Sequence, residues 1–142
     1  MRERAELLSE YLDHVRGRVR SGGGRAALPD DVAAMCLASP RECLALAVDA
    51  LEEPVTPEHV RVVGDGLVEQ LLNDSSDAVA EEVSALLRKH KRFRQAFAFG
   101  DYTSVDPALL GEWVDVLESL GTSKKQERTR LWSKKKEHRT ED

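Results

Sequence analysis

The chain has 142 residues and a formal net charge of −5, and 41% of its residues are hydrophobic, 33% charged and 5% aromatic. This length fits one domain with one core, and the shortage of aromatic residues beside many helix formers disfavours an all-β fold. No apolar run approaches the roughly 20 residues that span a bilayer, and the N-terminal residues lack the apolar region of a secretion signal. We therefore expect a cytoplasmic protein without membrane contact.

Apolar residues at helical spacing predict the first helix near the N-terminus. Their spacings of one, three and four residues place them on one helical face. They are Leu7, Leu8, Tyr11, Leu12, Val15 and Val19. Ser21 and the three glycines after it end this helix, because glycine loses much backbone entropy when it is ordered. We interpret the glycines as a linker, since the phosphate-loop pattern is absent.

Prolines and capping residues set the limits of the next two helices. A short helix follows Pro29 and ends by Ser39, because Pro40 disfavours helical geometry in the residue before it. Ser39 and Glu42 form a capping box for a second, apolar helix. That helix ends at residues 53–54.

The two cysteines of the chain, Cys36 and Cys43, lie in these two helices. Two cysteines are too few for a disulfide framework. A zinc site needs further ligands at characteristic spacing, which the distant histidines do not supply. We therefore expect both cysteines to be small buried hydrophobic residues, and we predict no metal and no cofactor.

The centre of the chain contains the most regular helical pattern. Thr56 caps a helix that continues through Gly64 and Gly66, each of which is less favourable than alanine by about 1 kcal/mol inside a helix. Either the helix breaks near residues 64–66 or the glycines allow close approach of another backbone. We favour close approach, because the apolar register continues across both glycines. After a polar break at residues 73–76, another helix runs into a basic segment and has a kink near His90.

The last clear helix begins at Asp106 and Pro107 and ends at Gly121. Beyond it, only Leu131 and Trp132 are sizeable apolar residues, so the tail is expected to be disordered or to form a helix that docks. The sequence therefore predicts an all-α fold, a compact bundle of about six helices in hairpins over residues 1–121, followed by a charged tail over residues 122–142.

Two short motifs carry a resemblance to a known family. The first motif is a G-x-V-E-x-L-L pattern formed by Gly66, Val68, Glu69, Leu71 and Leu72. The second is formed by Phe93 and Arg94, with Lys91 two residues before them. Between roughly Ala38 and Leu117 the chain thus resembles an uncharacterised bacterial family of helical domains, which has a G-x-L-E-x-L-L helix and a later P-x-F-R segment. The resemblance implies a helical fold and no mechanism.

No catalytic motif is present in the sequence. The four histidines form no H-E-x-x-H pattern, and no serine or cysteine lies in a G-x-S-x-G pattern. Glu69 lies in an apolar helix, and we interpret it as a salt-bridged or solvent-facing acid and not as a general base. We therefore predict that the protein is not an enzyme.

Charge is distributed unevenly, and this pattern is the main functional signal. Residues 26–87 hold thirteen acids and two Lys/Arg, whereas residues 88–94 hold five Lys/Arg and no acid, and residues 124–139 hold eight Lys/Arg and two acids. An acidic body therefore carries two basic segments. The candidate partner-binding residues are Arg88, Lys89, Lys91, Arg92, Arg94, Leu131, Trp132, Lys134, Lys135 and Lys136.

Two functions fit this charge pattern. The preferred one is a non-catalytic protein–protein interaction module, by analogy with bacterial immunity proteins that neutralise toxins and with adaptors of defence systems. The partner would be another protein of unknown identity, and the oligomeric state stays open. The alternative is a nucleic-acid-binding accessory protein that uses residues 88–94 and the Lys-rich tail, which requires the two basic segments to converge.

Overall fold

The computed structural model describes residues 3–22, 27–52 and 56–140, with the side chains described as far as Trp132. Every regular element in these ranges is helical, so the predicted all-α bundle is confirmed. In chain order the elements are α1 (Arg4–Arg20), α2 (Asp30–Ala38), α3 (Pro40–Glu52), α4 (Pro57–Val63), a π-helical segment (Gly64–Val68), α5 (Glu69–Lys89), α6 (Lys91–Phe97), α7 (Pro107–Ser119) and α8 (Lys124–Thr140). No helix in the described ranges is long and apolar enough to cross a membrane.

Helix α5 differs from the prediction at two places, in its middle and at its C-terminal end. The polar break expected at residues 73–76 is a kink, because only Ser75 leaves helical geometry, with φ −145° and ψ 34°. Buried leucine and valine side chains on both sides keep the helix in place across that kink. At His90 the expected kink is instead a complete break, with φ −115° and ψ 101°, and α6 begins at the next residue.

The core lies between α3, α5 and the short helix α6. α5 packs against α3, α6 and α7, while α1 packs against α3 and α4. The largest fully buried side chains are Trp113, Tyr11, Phe93 and Phe97. Because these aromatic residues come from three different parts of the chain, one continuous core holds α1, α6 and α7 together.

The expected close approach of two backbones is confirmed at Gly64. A Cβ atom at this position would overlap the backbone carbonyl of Ala96 in α6. A Cβ atom at Gly66 would lie 3.0 Å from a guanidinium nitrogen of Arg18. The two glycines belong to the π-helical segment, whose wider turn adds one residue to the helix where it passes α6.

The prediction for the two cysteines was incomplete. Both are buried, as expected, but Cys36 and Cys43 form a disulfide bond. Cys36 lies in the last turns of α2 and Cys43 in the first turn of α3, and Ser39 alone separates the two helices. This sharp corner brings the two Cα atoms to 4.9 Å, a distance that a disulfide spans. A count of two cysteines carried no information about that corner.

The described part of the tail is helical. Of the two expectations for residues 122–142, disorder or a docking helix, the structure has a helix, α8, which packs against α6 and α4. Leu131 is buried in this contact. The boundary predicted at residue 121 therefore separates α8 from the preceding helices in sequence, while α8 still contributes to the core.

We predict that Gly64→Ala lowers the free energy of unfolding by about 1–3 kcal/mol, because the added methyl group forces the π-helical segment and α6 apart. The matched control is Gly111→Ala in α7, where an added Cβ atom meets nothing within 4 Å. This control should raise stability by up to about 1 kcal/mol, the usual advantage of alanine over glycine in a helix. Urea unfolding measures both, and equal effects would contradict the close approach.

Candidate functional site

The predicted basic run lies at the junction between α5 and α6. Arg88 and Lys89 occupy the last turn of α5, and the other three cations lie in α6. His90, between the two helices, caps α6, since its Nδ1 accepts a hydrogen bond of 3.1 Å from the Phe93 N–H. A ring nitrogen that accepts carries no proton, so this contact assigns the proton of the neutral ring to Nε2. That atom lies 3.7 Å from a carboxylate oxygen of Glu52.

Two arginines of the run bind the C-terminal ends of helices. Arg92 donates a hydrogen bond of 2.8 Å to the carbonyl of Leu51 in the last turn of α3. Arg94 donates bonds of 3.0 and 3.3 Å to the carbonyls of Leu87 and Arg88 in the last turn of α5. The last carbonyls of a helix lack partners within it and carry partial negative charge. Arg92 and Arg94 therefore stabilise the fold as well as contributing charge.

The run is also divided between two open grooves. Lys89, Lys91 and Arg92 line a groove at the end of α3, beside Glu52. Arg88 lies in a different groove, between α5 and α7. Three of the five cations therefore share one groove, and Arg88 faces another.

The first half of α8 is attached to the end of α6 by cations of the predicted tail. Lys124 donates a hydrogen bond of 2.7 Å to the carbonyl of Gly100, and its Nζ lies 4.8 Å from the centroid of the Tyr102 ring. Arg128 donates a bond of 2.7 Å to the carbonyl of Ala98. These contacts resemble those at the ends of α3 and α5, but here the carbonyls lie just beyond the last residue of the helix.

The ionisable side chains of this contact range from partly buried, as Lys124 and Arg128 are, to fully buried. Burial lowers the pKa of Lys124, and the charge of Arg128 lowers it further, whereas Asp101 and Glu69 raise it. Glu127 is buried, and its carboxylate accepts hydrogen bonds of 2.7 Å from the Thr122 hydroxyl and 3.0 Å from Arg130. The start of α8 is therefore part of the folded body.

The apolar residues predicted as an anchor for a partner pack within the chain. Leu131 is 6% exposed and belongs to the core. Trp132 is half-buried, and its ring meets that of Phe99 edge-on at 6.2 Å. Both therefore dock α8 on its own bundle. The other predicted tail residues, Lys134, Lys135 and Lys136, lie in α8, but their side chains are outside the described part of the chain.

Residue Glu69 holds a loop. Its carboxylate accepts a hydrogen bond of 2.7 Å from the N–H of Asp101. One turn later in α5, Asn73 donates a bond of 2.9 Å to the carbonyl of Asp101 and accepts one of 3.0 Å from the N–H of Ser104. The structure therefore places Glu69 in a clamp on the loop between α6 and α7, a role that sequence analysis did not identify.

A buried cluster of charges ties α1 to the π-helical segment. Asp65 accepts from Arg18 at 3.3 Å and from Arg61 at 2.8 Å, and the Arg18 side chain is only 5% exposed. Burial raises the pKa of the neighbouring Tyr11, while the Arg18 charge lowers it and Asp65 raises it. Burial also lowers the pKa of His14, and the Arg18 charge adds to that effect. This cluster fixes the wide turn beside α6.

An acidic seam between α5 and α7 is a further feature that sequence analysis missed. We define the seam by the acids that line its two open grooves. One groove lies beside the Ser75 kink and the other beside the last turns of both helices, and the acids are Asp74, Asp77, Asp106, Glu112 and Asp115. All five are exposed, and among the described residues Arg88 is the one basic side chain that lines either groove. Acids three residues apart on each helix carry the signal, but sequence alone does not place the two helices side by side.

No ligand set for a metal stands out within the described part of the chain, where no group of three or more His, Cys, Asp and Glu residues could hold an ion. Comparisons with family models, curated proteins and solved structures found no match to this chain. The resemblance to an uncharacterised helical family therefore stays a prediction.

We predict that Arg92→Ala and Arg94→Ala each lower the free energy of unfolding by about 1 kcal/mol, because carbonyls at the ends of α3 and α5 lose a charged donor. Lys89→Ala removes a neighbouring exposed cation and should change stability by less than about 0.5 kcal/mol. Urea unfolding of the three variants at one pH measures the difference. Equal stability of all three would contradict the capping role.

We predict that His14 makes stability depend on pH. Because its pKa is lowered in the folded state from the usual 6.5, the unfolded chain binds a proton first as the pH falls. The contribution of His14 is therefore present above pH 6.5 and is lost as the pH falls from 6.5 toward the folded pKa. His14→Gln should flatten that part of the stability curve, measured by urea unfolding from pH 8 to pH 5. Parallel curves for the two proteins would contradict this cause.

Proposed function

We propose that the protein is a non-catalytic protein–protein interaction module whose acidic seam faces a basic partner. One observation carries the proposal, namely the separation of charge on the described part of the bundle. Among the charged side chains that line the two grooves of the seam there, five are exposed acids and one is an arginine. Meanwhile Arg92, Arg94, Lys124 and Arg128 all donate to carbonyls of their own chain.

The two helices that carry the seam are well fixed, which supports a preformed contact surface. Trp113 of α7 is fully buried, and its indole N–H donates a hydrogen bond of 3.4 Å to the carbonyl of Ala80 in α5. Asp106 caps α7 by accepting from the N–H of Ala108 at 3.3 Å. A surface that is ordered before binding loses little entropy on association. Negative charge along it also speeds the approach of a basic partner.

The biological class we propose is a cytoplasmic bacterial immunity protein or an adaptor of a defence system. The support is the small acidic helical body, which suits the masking of a basic toxin surface. The basic junction of α5 and α6 would then contact acidic positions at the edge of the same partner, through Arg88 and Lys89. This biological class is proposed by analogy of composition and charge, and identification of the binding partner would test it.

A second candidate function is nucleic-acid binding by an accessory protein. The observation in its favour is that α8 packs on α6, so the eight Lys/Arg of residues 124–139 belong to a neighbour of the helix that carries Lys91. The cations that already bind helix ends weaken this candidate, because phosphate contacts would compete with those hydrogen bonds. The acidic seam also repels a polyanion.

We predict that the full chain co-purifies one basic protein at a fixed ratio and that neutralising the seam weakens this complex. Asp77→Asn with Asp115→Asn should raise the Kd by about tenfold or more and reduce its salt dependence, because two complementary charges are lost. The control, Glu3→Gln with Asp30→Asn, changes the net charge equally on exposed residues away from the seam. Equal weakening by both double variants would contradict the seam as the contact surface.

The same proteins separate the second candidate from the first. A nucleic-acid-binding protein should bind nonspecific duplex DNA or RNA at low salt and lose this binding steeply as the salt rises. Arg88→Gln with Lys89→Gln should then reduce the salt dependence by about two counterions. Binding of this kind, with no protein partner, would reject the proposed function in favour of the alternative.

A further inference from the structure

The disulfide between Cys36 and Cys43 takes no part in the proposed function. It links the last turns of α2 to the first turn of α3 across the single residue Ser39. Both cysteines are almost completely shielded, at 1% and 0% exposure. A bond at this place controls whether the two helices can move relative to each other.

Helix α2 packs against α3, α5 and α1, but it buries a small part of its own surface, and its partly buried residues Ala33 and Met35 complete that contact. Of its nine residues, only Val32 and Cys36 are buried, whereas α3 buries six of thirteen. Its first turn has no side-chain cap, and Leu37, immediately after Cys36, is 68% exposed. Segments with few buried apolar contacts open at a lower free energy than the rest of a protein. The disulfide therefore adds a covalent link to a helix that buries less of its surface than α3 does.

We infer that Cys36 and Cys43 form a reversible thiol–disulfide switch that fastens α2 to α3 when oxidised and lets α2 open about Ser39 when reduced. Ser39 suits a hinge, because it lies outside helical geometry, with φ −145° and ψ 86°, and connects the two helices alone. Opening would separate the buried face of α2 from α3, α5 and α1, the helices it packs against. The switch is independent of the acidic seam and of its partner.

The chemistry is an exchange with a dithiol reductant of the thioredoxin class. A thiolate of the reductant attacks one sulfur of the pair, forms a mixed disulfide and releases the other cysteine as a thiolate, which takes up a proton. The second thiol of the reductant then attacks the mixed disulfide, so that the reductant leaves with its own disulfide and the protein keeps two thiols. Two electrons pass to the Cys36–Cys43 pair. Glutathione disulfide reverses the reaction in the same two steps.

The burial of both sulfurs controls the rate of this exchange. A reductant cannot reach either sulfur while α2 is closed, so attack follows transient opening of α2. In the cytoplasm, the compartment we propose, the disulfides that form are usually transient and redox-sensing. A disulfide at a helix that buries a small part of its surface fits that use.

The test compares amide hydrogen exchange of the full chain in the oxidised and reduced forms. We expect amides of residues 33–38 in α2 to exchange about tenfold faster or more after reduction with dithiothreitol, while amides of α7 change less than about twofold. The variant Cys36→Ala with Cys43→Ala should show fast exchange in α2 whether or not reductant is present. Val32→Ala, which loosens α2 but keeps both cysteines, should retain the dependence on reductant.

Equilibration in glutathione buffers, followed by alkylation and mass spectrometry, measures the state of the pair. We expect both forms to be populated within the series, with the change confined to these two thiols. Free thiols in the most oxidising buffer, or a bond that resists dithiothreitol in the folded protein, would overturn the switch. Equal α2 exchange in both forms, or a loss of α7 protection as large as that of α2, would also overturn it. None of these results involves the partner assay, so the two proposals fail separately.

Discussion

The arrangement of the bundle depends on how closely the π-helical segment passes α6. Gly64 lies against the carbonyl of Ala96, and no residue with a side chain fits in that space. α6 has only seven residues, too few for a helix that is stable alone, so its form comes from packing. Phe93 and Phe97 are fully buried and anchor it beside the π-helical segment. From this position α6 determines where the basic run and α8 lie.

Cations at the ends of helices complete this arrangement. α3 and α5 end beside α6, and three arginines, Arg92, Arg94 and Arg128, donate to carbonyls at the ends of these three helices. Where several helix ends meet, their partial negative charges repel unless donors and positive charge lie between them. A basic segment is the expected composition for such a junction. The stability of the fold therefore explains why this basic segment is present, and the segment alone is not evidence of a ligand.

The sequence predicted the parts of the structure that short-range chemistry determines. Thr56 and Asp106 cap helices where expected, and the regular apolar pattern identifies the buried face of α1. The close approach at Gly64 was also predicted, because glycine inside an unbroken apolar register destabilises a helix unless a neighbouring backbone fills the space of the missing side chain. In contrast, the polar residues near Ser75 were predicted to break the helix. The helix continues there with a kink, because buried residues on both sides hold it in place.

The features that were missed all depend on contacts between distant parts of the chain. The disulfide requires the tight corner at Ser39, which proline and serine signals predict as two helix limits but not as a distance between sulfurs. The acidic seam requires α7 to lie beside α5, which helical periodicity does not specify. The hydrogen bond from Arg94 to the end of α5 depends on the direction the chain takes at the His90 break, which the sequence does not specify. For these reasons the sequence located the charged residues correctly but not the surfaces they form.

The distribution of charge follows from the same geometry. Cations that bind carbonyls near α6 are not available to neutralise acids elsewhere. The exposed acids between α5 and α7 therefore present negative charge to the solvent. The seam is consequently more negative than a net charge of −5 spread over the whole surface would suggest. A basic partner placed against these exposed acids would gain an attraction that the isolated bundle does not supply. That attraction exists only for a partner of opposite charge, and this is the physical reason why we propose the seam as the recognition surface.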